Sequence, residues 1–505
     1  MARCAFAAAL LAVAGNTPVV FADFMAVNFT DTPSPNAPIE KPRCNATVTI
    51  SVLYAEGSIT VDSADGASRG GCITVDQVWE ARGGRAPLYA VDPETGEVSE
   101  EVTGTWLLTG SMNIQGGVTL QVWGTASGGL ADELRLKSTP DTFINLRAHG
   151  GSLDFENTKV FSWDTEENTY DTDESDGRSY ISAVSEIITN SKESCDGMAK
   201  NDMGEARMDI VKSEMAYLGY HDVESYGLTW KVRGYCVDQS NPELFDDVAV
   251  YGNIYDSELH HNNFAVYTYG HQRGDWRRNV LHSNSGYGFD PHDDSDELTI
   301  HDNIVYDNAW HGIIASKRCN NVSIQGNTVY GGGEISAGIF LHRSGDYGIV
   351  KSNHVYNNGD AGMALHESFH ATVSDNVFEN NKYGVRLSVG CGSNYFTNNR
   401  FEDSDQYGIY TYDGSDEPWV TDSGRCQDNV FDGNTIVGGS QSFKIKEADG
   451  TRIINNIFED ADSVEWLDST ENFVAGNSGL DDVDVLVDNS CFVEGSDDDF
   501  DKPEC

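Results

Sequence analysis

The sequence predicts an all-β chain wound as a right-handed parallel β-helix, and three observations carry that prediction. An Asn followed by apolar residues returns at Asn279, Asn303, Asn327, Asn353, Asn376, Asn399, Asn429 and Asn456, at spacings of 24, 24, 26, 23, 23, 30 and 27 residues. A Gly keeps the same beat at Gly288, Gly312, Gly338, Gly362, Gly384 and Gly408. Between these marks the apolar runs hold three to five residues, too short for a helical stripe and suited to strands.

One such repeat cannot bury its own apolar face, whereas stacked repeats bury a continuous core. Coils stacked at the ordinary strand spacing of about 4.8 Å make residues some 24 positions apart neighbours in space. The recurring Asn is expected to stack as an internal amide ladder. The recurring Gly is expected at corners that need a positive φ. The Leu-x-x-Leu-x-Leu pattern of other repeat architectures is missing, and Trp-Asp occurs once, at Trp163-Asp164, rather than as a repeated blade mark.

Along the chain, residues 1–22 read as a secretory signal peptide: Arg3, the apolar stretch Ala5–Ala14, then Val20-Phe21-Ala22. Residues 23–103 are less periodic and read as an N-terminal cap or β segment. Residues 104–475 are the β-helix, opening with Thr105-Trp106-Leu107-Leu108 and Thr119-Leu120-Gln121-Val122. Residues 476–505 form an acidic tail that ends at Cys505. No stretch reaches the length of a membrane span, so a secreted chain of the cell exterior or wall is expected.

The net charge of -49, from 81 acids against 32 bases, argues against nucleic acid as a partner. Ten cysteines, less Cys4 in the signal, leave an odd number. The pairs suggested are Cys44 with Cys72, Cys195 with Cys236, Cys391 with Cys426 and Cys491 with Cys505, leaving Cys319 as a buried thiol. No Cys-x-x-Cys pattern occurs, and no metal site is assigned. The acidic loops leave Ca2+ open as a ligand, although no calcium loop of defined spacing is encoded.

The most irregular stretch of the repeat is Tyr287-Gly288-Phe289-Asp290-Pro291-His292-Asp293. Pro291 removes a ladder donor and holds Asp290 extended. Counting on from His292 by 26, 24 and 24 residues reaches Arg318, His342 and His366, with Lys317, Arg343 and Glu367 beside them. Imidazoles and cations repeated coil after coil on one solenoid face suit a linear, acidic polymer. Strand alternation lets only one of Lys317 and Arg318 point into such a groove, and the spacing leaves both open, with Arg318 the better bidentate partner for a carboxylate. Upstream, His271, Arg273, Arg277 and Arg278 form a basic patch in an otherwise acidic chain.

The stretch Tyr287–Asp293 resembles the Tyr-Gly-(Phe/Ile)-Asp-Pro-His motif of the mannuronan C5-epimerases. His311-Gly312-Ile313-Ile314 with Lys317-Arg318 is similar to a stretch downstream of that motif in the periplasmic members. Tyr217-Leu218-Gly219-Tyr220 and Glu224-Ser225-Tyr226-Gly227-Leu228-Thr229-Trp230 extend the resemblance, which runs from about 105 to 440. It implies a pectate-lyase-like solenoid that inverts C5 of β-D-mannuronate within alginate, with no cofactor required. By resemblance His292 is the base, Tyr287 a proton donor or acceptor on the other face, and Asp290 an orienting group. Arg318 or Lys317 neutralises the substrate carboxylate. Asp293, His311, His342, Arg343, His366 and Arg277 are expected to bind substrate. One departure is Ser316, where a subgroup carries an acid. Three other readings stay open: a polyuronate lyase sharing the first half-reaction, an inverting glycosidase with paired acids, and a non-catalytic wall binder.

Overall fold

Each coil follows from how a short apolar strand, a left-handed corner and a buried Asn behave together. In the computed structural model the described residues are 44, 50–55, 57–63, 71–188, 199–200, 204–222, 224–234, 245, 248–343, 345–415, 424–439, 441–460, 462–480, 483–496 and 502–505, all within one unit, 36–505. The expected signal peptide and the Cys195–Cys236 pair lie outside them.

A representative coil runs through the strands Phe289–His292, Thr299–His301 and Ile304–Tyr306, then rises to Ile313–Ser316. Each strand pairs in parallel with its counterpart one coil on, so three sheets run along the solenoid. On the sheet that will matter below, Phe289, Ile313, Ile339, Met363, Val385, Ile409 and Phe443 share one inward register line and are all buried.

The Asn ladder forms at the corner between the second and third sheets. Asn303 Oδ1 accepts from the backbone N–H and the side-chain amide of Asn279, at 2.9 and 3.0 Å, and Asn303 Nδ2 donates to the Trp276 carbonyl. The pattern continues through Asn327, Asn353, Asn376 and Asn399. It then passes to Asn434 and Asn456. Asn429 instead receives Asn394 in a separate ladder, because extra residues enter the chain between Thr411 and Cys426 and shift the beat.

The positive φ angles fall elsewhere than on the periodic glycines. The residue just before each ladder Asn takes the left-handed conformation: Arg278 (φ 54°), Asp302 (57°), Ser352 (54°), Asp375 (57°) and Asn398 (54°). Gly312 and its counterparts are needed for room. A Cβ on Gly312 would sit 2.4 Å from Val329 Cγ1 and 2.9 Å from the Gly338 carbonyl, and one on Gly384 would sit 2.5 Å from the Gly408 carbonyl.

At the N-terminal side, strands Ser58–Ser63 and Cys72–Thr74 already stack on the coil that follows them. The short helix Val75–Ala81 starts on a Thr74/Gln77 capping box and buries Val75 and Val78 in the core, as a solenoid end requires. Cys44–Cys72 and Cys491–Cys505 are disulfides. Cys319 is a buried thiol as expected, but Cys391 and Cys426 are free too, donating to the Ser388 and Tyr412 carbonyls at 3.0 and 3.8 Å. No helix among the described residues is long and apolar enough to cross a membrane.

Candidate active site

Strand alternation makes Phe289 and Pro291 face inward and leaves Asp290 and His292 on the outer face of the first sheet. The outward partner of His292 on the next coil is Ser316, followed by His342 and His366. His342 and His366 therefore fall where the count predicts, whereas Arg318 lies two positions past the register. Lys317 and Arg318 sit beyond the strand end, both with positive φ.

A cavity of about 430 Å³ opens on this face. One wall is aromatic: Tyr226, Phe264, Tyr267, Tyr287 and Trp310. The rest of the lining is Asp290, His292, Ile314, Ser316, Lys317, His342 and Arg343. Lys317 thus faces the cavity and Arg318 does not. Arg318 donates from Nη2 to Asp293 Oδ1 at 2.8 Å and from Nε and Nη2 to Asp294, at 3.0 and 2.8 Å. Asp293 in turn pairs with His292 Nδ1. Arg318 thus fixes the Asp293 carboxylate, which lies against His292 Nδ1 as a charge contact, and Nε2 is the other imidazole nitrogen. Burial pushes Asp293 up, but the His292 hydrogen bond and the Lys317 and Arg318 charges outweigh it and hold the carboxyl below its usual range.

Asp290 behaves in the opposite way. It is 1% exposed, its Oδ1 makes no hydrogen bond within the protein, and burial pushes its pKa up to about 7 against the pull of His292 and Lys317. Burial also raises the phenols of Tyr226, Tyr267 and Tyr287, each helped by the Asp290 charge, so all three stay protonated at neutral pH.

The remaining expected residues divide. His342 Nδ1 lies 3.1 Å from Ser316 Oγ, and His366 packs edge-on to it one coil further along. His311 does not line the cavity. It stacks on Tyr287 at 5.6 Å and accepts the Ala337 N–H at 2.9 Å, and burial drives its pKa down to about 3, so it is a neutral buttress. Arg277 stands on the second sheet, paired with Asp275 and over the Tyr255 ring. Its neighbours Arg273 and Arg278 are paired with Glu297 and Asp256, and His271 is fully buried, so the upstream patch is spent away from the cavity.

Sequence reasoning missed the aromatic wall. Tyr226, Phe264 and Tyr267 come from coils ahead of the regular repeat, where no count reaches them. Trp310 carried a signal, an indole beside His311 in a loop, and it is 38% exposed at the cavity rim while packing edge-on to Tyr287 at 5.0 Å.

A cation beside a base paired to a carboxylate is the equipment for removing a proton next to a carboxylate. Comparison with known proteins bears on the fold and on the family the chain resembles. The model for the right handed beta helix region matches residues 314–424, and that for the periplasmic copper-binding protein (NosD) matches 230–368. Among the described residues no three His, Cys, Asp or Glu side chains converge as metal ligands. The mannuronan C5-epimerase of Pseudomonas putida is 30% identical over 183 residues, 35% of this chain and 34% of that protein. That of Pseudomonas syringae pv. tomato is 32% identical over 163 residues, 32% and 29% of the two chains. The chain thus matches about a third of the length of these curated relatives. The crystal structure of the periplasmic alginate epimerase AlgG superposes with a TM-score of 0.58 at 18% identity, over 86% of this chain and 85% of that one. The chain is therefore a right-handed parallel β-helix protein, similar over about a third of its length to mannuronan C5-epimerases.

Proposed function

We propose that the protein is a mannuronan C5-epimerase, converting β-D-mannuronate to α-L-guluronate within alginate outside the cell membrane. The observation that carries this reading is the Arg318–Asp293–His292 series of contacts ending in a cavity that also holds Lys317. In the reaction, the C5–H bond breaks and its proton passes to His292 Nε2, while Asp293 on Nδ1 holds the imidazole in the tautomer that can accept it. The electron pair moves onto the substrate carboxylate. Lys317 and Arg343 meet that growing charge, the task a divalent cation such as Ca2+ would otherwise perform. Asp290, near half-protonated at neutral pH, shares its proton with the carboxylate rather than repelling it. A new C5–H bond then forms from the opposite face with the proton of the Tyr287 phenol. The imidazolium returns a proton to the phenolate through solvent, and the glycosidic bonds are untouched.

Proton NMR of polymannuronate incubated in heavy water tests the reading. Guluronate bearing deuterium at C5, formed by the native protein and absent with His292→Ala, is the expected result. Unsaturated chain ends would make it a lyase, and an unaltered polymer would remove the epimerase reading.

A further inference from the structure

The outer face of the first sheet does not end at the cavity. Past Ile314 the same register line runs through Phe340, Ala364, Arg386, Tyr410 and Lys444. Ile314, Phe340 and Ala364 form an apolar floor on this outer face, with Tyr287 packed against it from the cavity side and Tyr383 as well. The floor leads to a cluster of tyrosines four to five coils from His292, roughly 19–24 Å at the ordinary strand spacing.

Three of these rings, Tyr383, Tyr407 and Tyr410, stand 5.0–6.1 Å apart in nearly parallel planes. Lys382 lies over the Tyr383 ring at 5.2 Å and Lys444 over the Tyr407 ring at 5.4 Å. Lys444 also donates to the Tyr407 hydroxyl at 3.3 Å and pairs with Glu465. Arg386 is held by Asp360 and donates to the Tyr412 hydroxyl at 3.1 Å. The third sheet carries a plainer aromatic stack, Tyr306, Tyr330 and Tyr356, one ring per coil. The cluster on the first sheet differs in crowding three rings onto two coils and in holding amines against them.

We infer that Tyr383, Tyr407 and Tyr410, with Lys382 and Lys444, form a second polysaccharide-binding site that takes a distal stretch of the same acidic chain the cavity acts on. The inference rests on the epimerase reading for the identity of that chain. The chemistry fits the ligand: aromatic rings take the C–H faces of sugars, phenols meet hydroxyls, and the Lys382 ammonium meets carboxylates. The apolar floor is the route between the two sites. In a chain of net charge -49, pairing Asp360 with Arg386 and Glu465 with Lys444 lessens the repulsion a polyanion meets on this face. Two sites joined through one ligand act as a bivalent pair, so the second raises the affinity for long chains only.

The test compares the native protein with Tyr407→Ala/Tyr410→Ala and with Lys382→Glu. Each is assayed on long polymannuronate and on oligomannuronates too short to span the distance to the tyrosines. Binding to the long chain is measured directly as well, by affinity electrophoresis. Both variants are expected to bind long chains about tenfold more weakly and to raise KM on them by the same factor, at unchanged kcat. Kinetics on short chains should match the native protein, which also reports that the fold is intact. Undiminished binding of long chains, or an equal loss on both lengths, overturns the proposal. If the double variant fails to fold, Lys382→Glu carries the same comparison. Length-dependent binding that needs the tyrosines, without any guluronate formed, would leave this site standing and overturn the reading of the cavity.

Discussion

Lys317 and Arg318 are adjacent cations with opposite duties. Both have a left-handed backbone at the end of the Ile313–Ser316 strand, and that bend sends the Lys317 side chain into the cavity and the Arg318 guanidinium back onto Asp293 and Asp294. Hydrogen bonding to Asp294 raises the pKa of Arg318 further, so its charge is committed to those carboxylates. Lys317→Ala should lower kcat/KM on polymannuronate by about 10²–10³, the usual cost of losing a contact that stabilises developing charge. Arg318→Ala should cost less, about 10–100-fold, in line with residues that orient a reacting group through another. It should also let the Asp293 carboxyl rise toward its usual range, because the Arg318 charge helps to hold it low, and so change the pH–rate profile. Steady-state kinetics across pH checks both. The adjacency was legible in the sequence and the division of labour was not, because spacing counts residues and the turn after Ser316 decides directions.

At the scale of one coil, the ladder Asn replaces hydrogen bonds that a sharp corner would otherwise lose. Asn303 satisfies the Asn279 backbone N–H and amide on one side and the Trp276 carbonyl on the other, all without access to water. Asn303→Ala leaves those groups buried and unpaired, at about 1–3 kcal/mol for each orphaned group. The expected outcome is a loss of several kcal/mol in denaturant unfolding with unchanged m-value. The Asn beat was legible because an amide ladder demands the same residue at each coil. The role of the periodic Gly was misread for a physical reason: positive φ and lack of space both select glycine. Only the Gly338 and Gly408 carbonyls lying where a Cβ would go distinguish them.

At the scale of the whole molecule, the cavity is a place where stability is given up. Burial raises Asp290 to about 7, far above a free carboxyl. Between the unfolded value near 3.9 and about 7, the folded state keeps a proton that the unfolded state has lost, so this group lowers stability as pH rises through that window. The slope is about 1.4 kcal/mol per pH unit, an order-of-magnitude total of roughly 4 kcal/mol above pH 7. Asp290→Asn should therefore be inactive yet more heat-stable than the native protein at pH 8, with the difference vanishing near pH 4. Thermal melts at the two pH values check the sign.

The sequence by itself determined the coil. The Asn beat, the short apolar runs and the room-making Gly each repeat because every coil meets the same neighbours, so one-dimensional spacing carries three-dimensional information. It also located the Tyr287–Asp293 stretch, since a Pro between Asp290 and His292 breaks the repeat. The tertiary structure alone decided what faces what. It placed Ser316 rather than Arg318 beside His292, turned His311 into a buttress, put Arg277 on another sheet and supplied the aromatic wall. Those outcomes depend on turn lengths and left-handed corners, which redirect a side chain without leaving a periodic trace in the sequence.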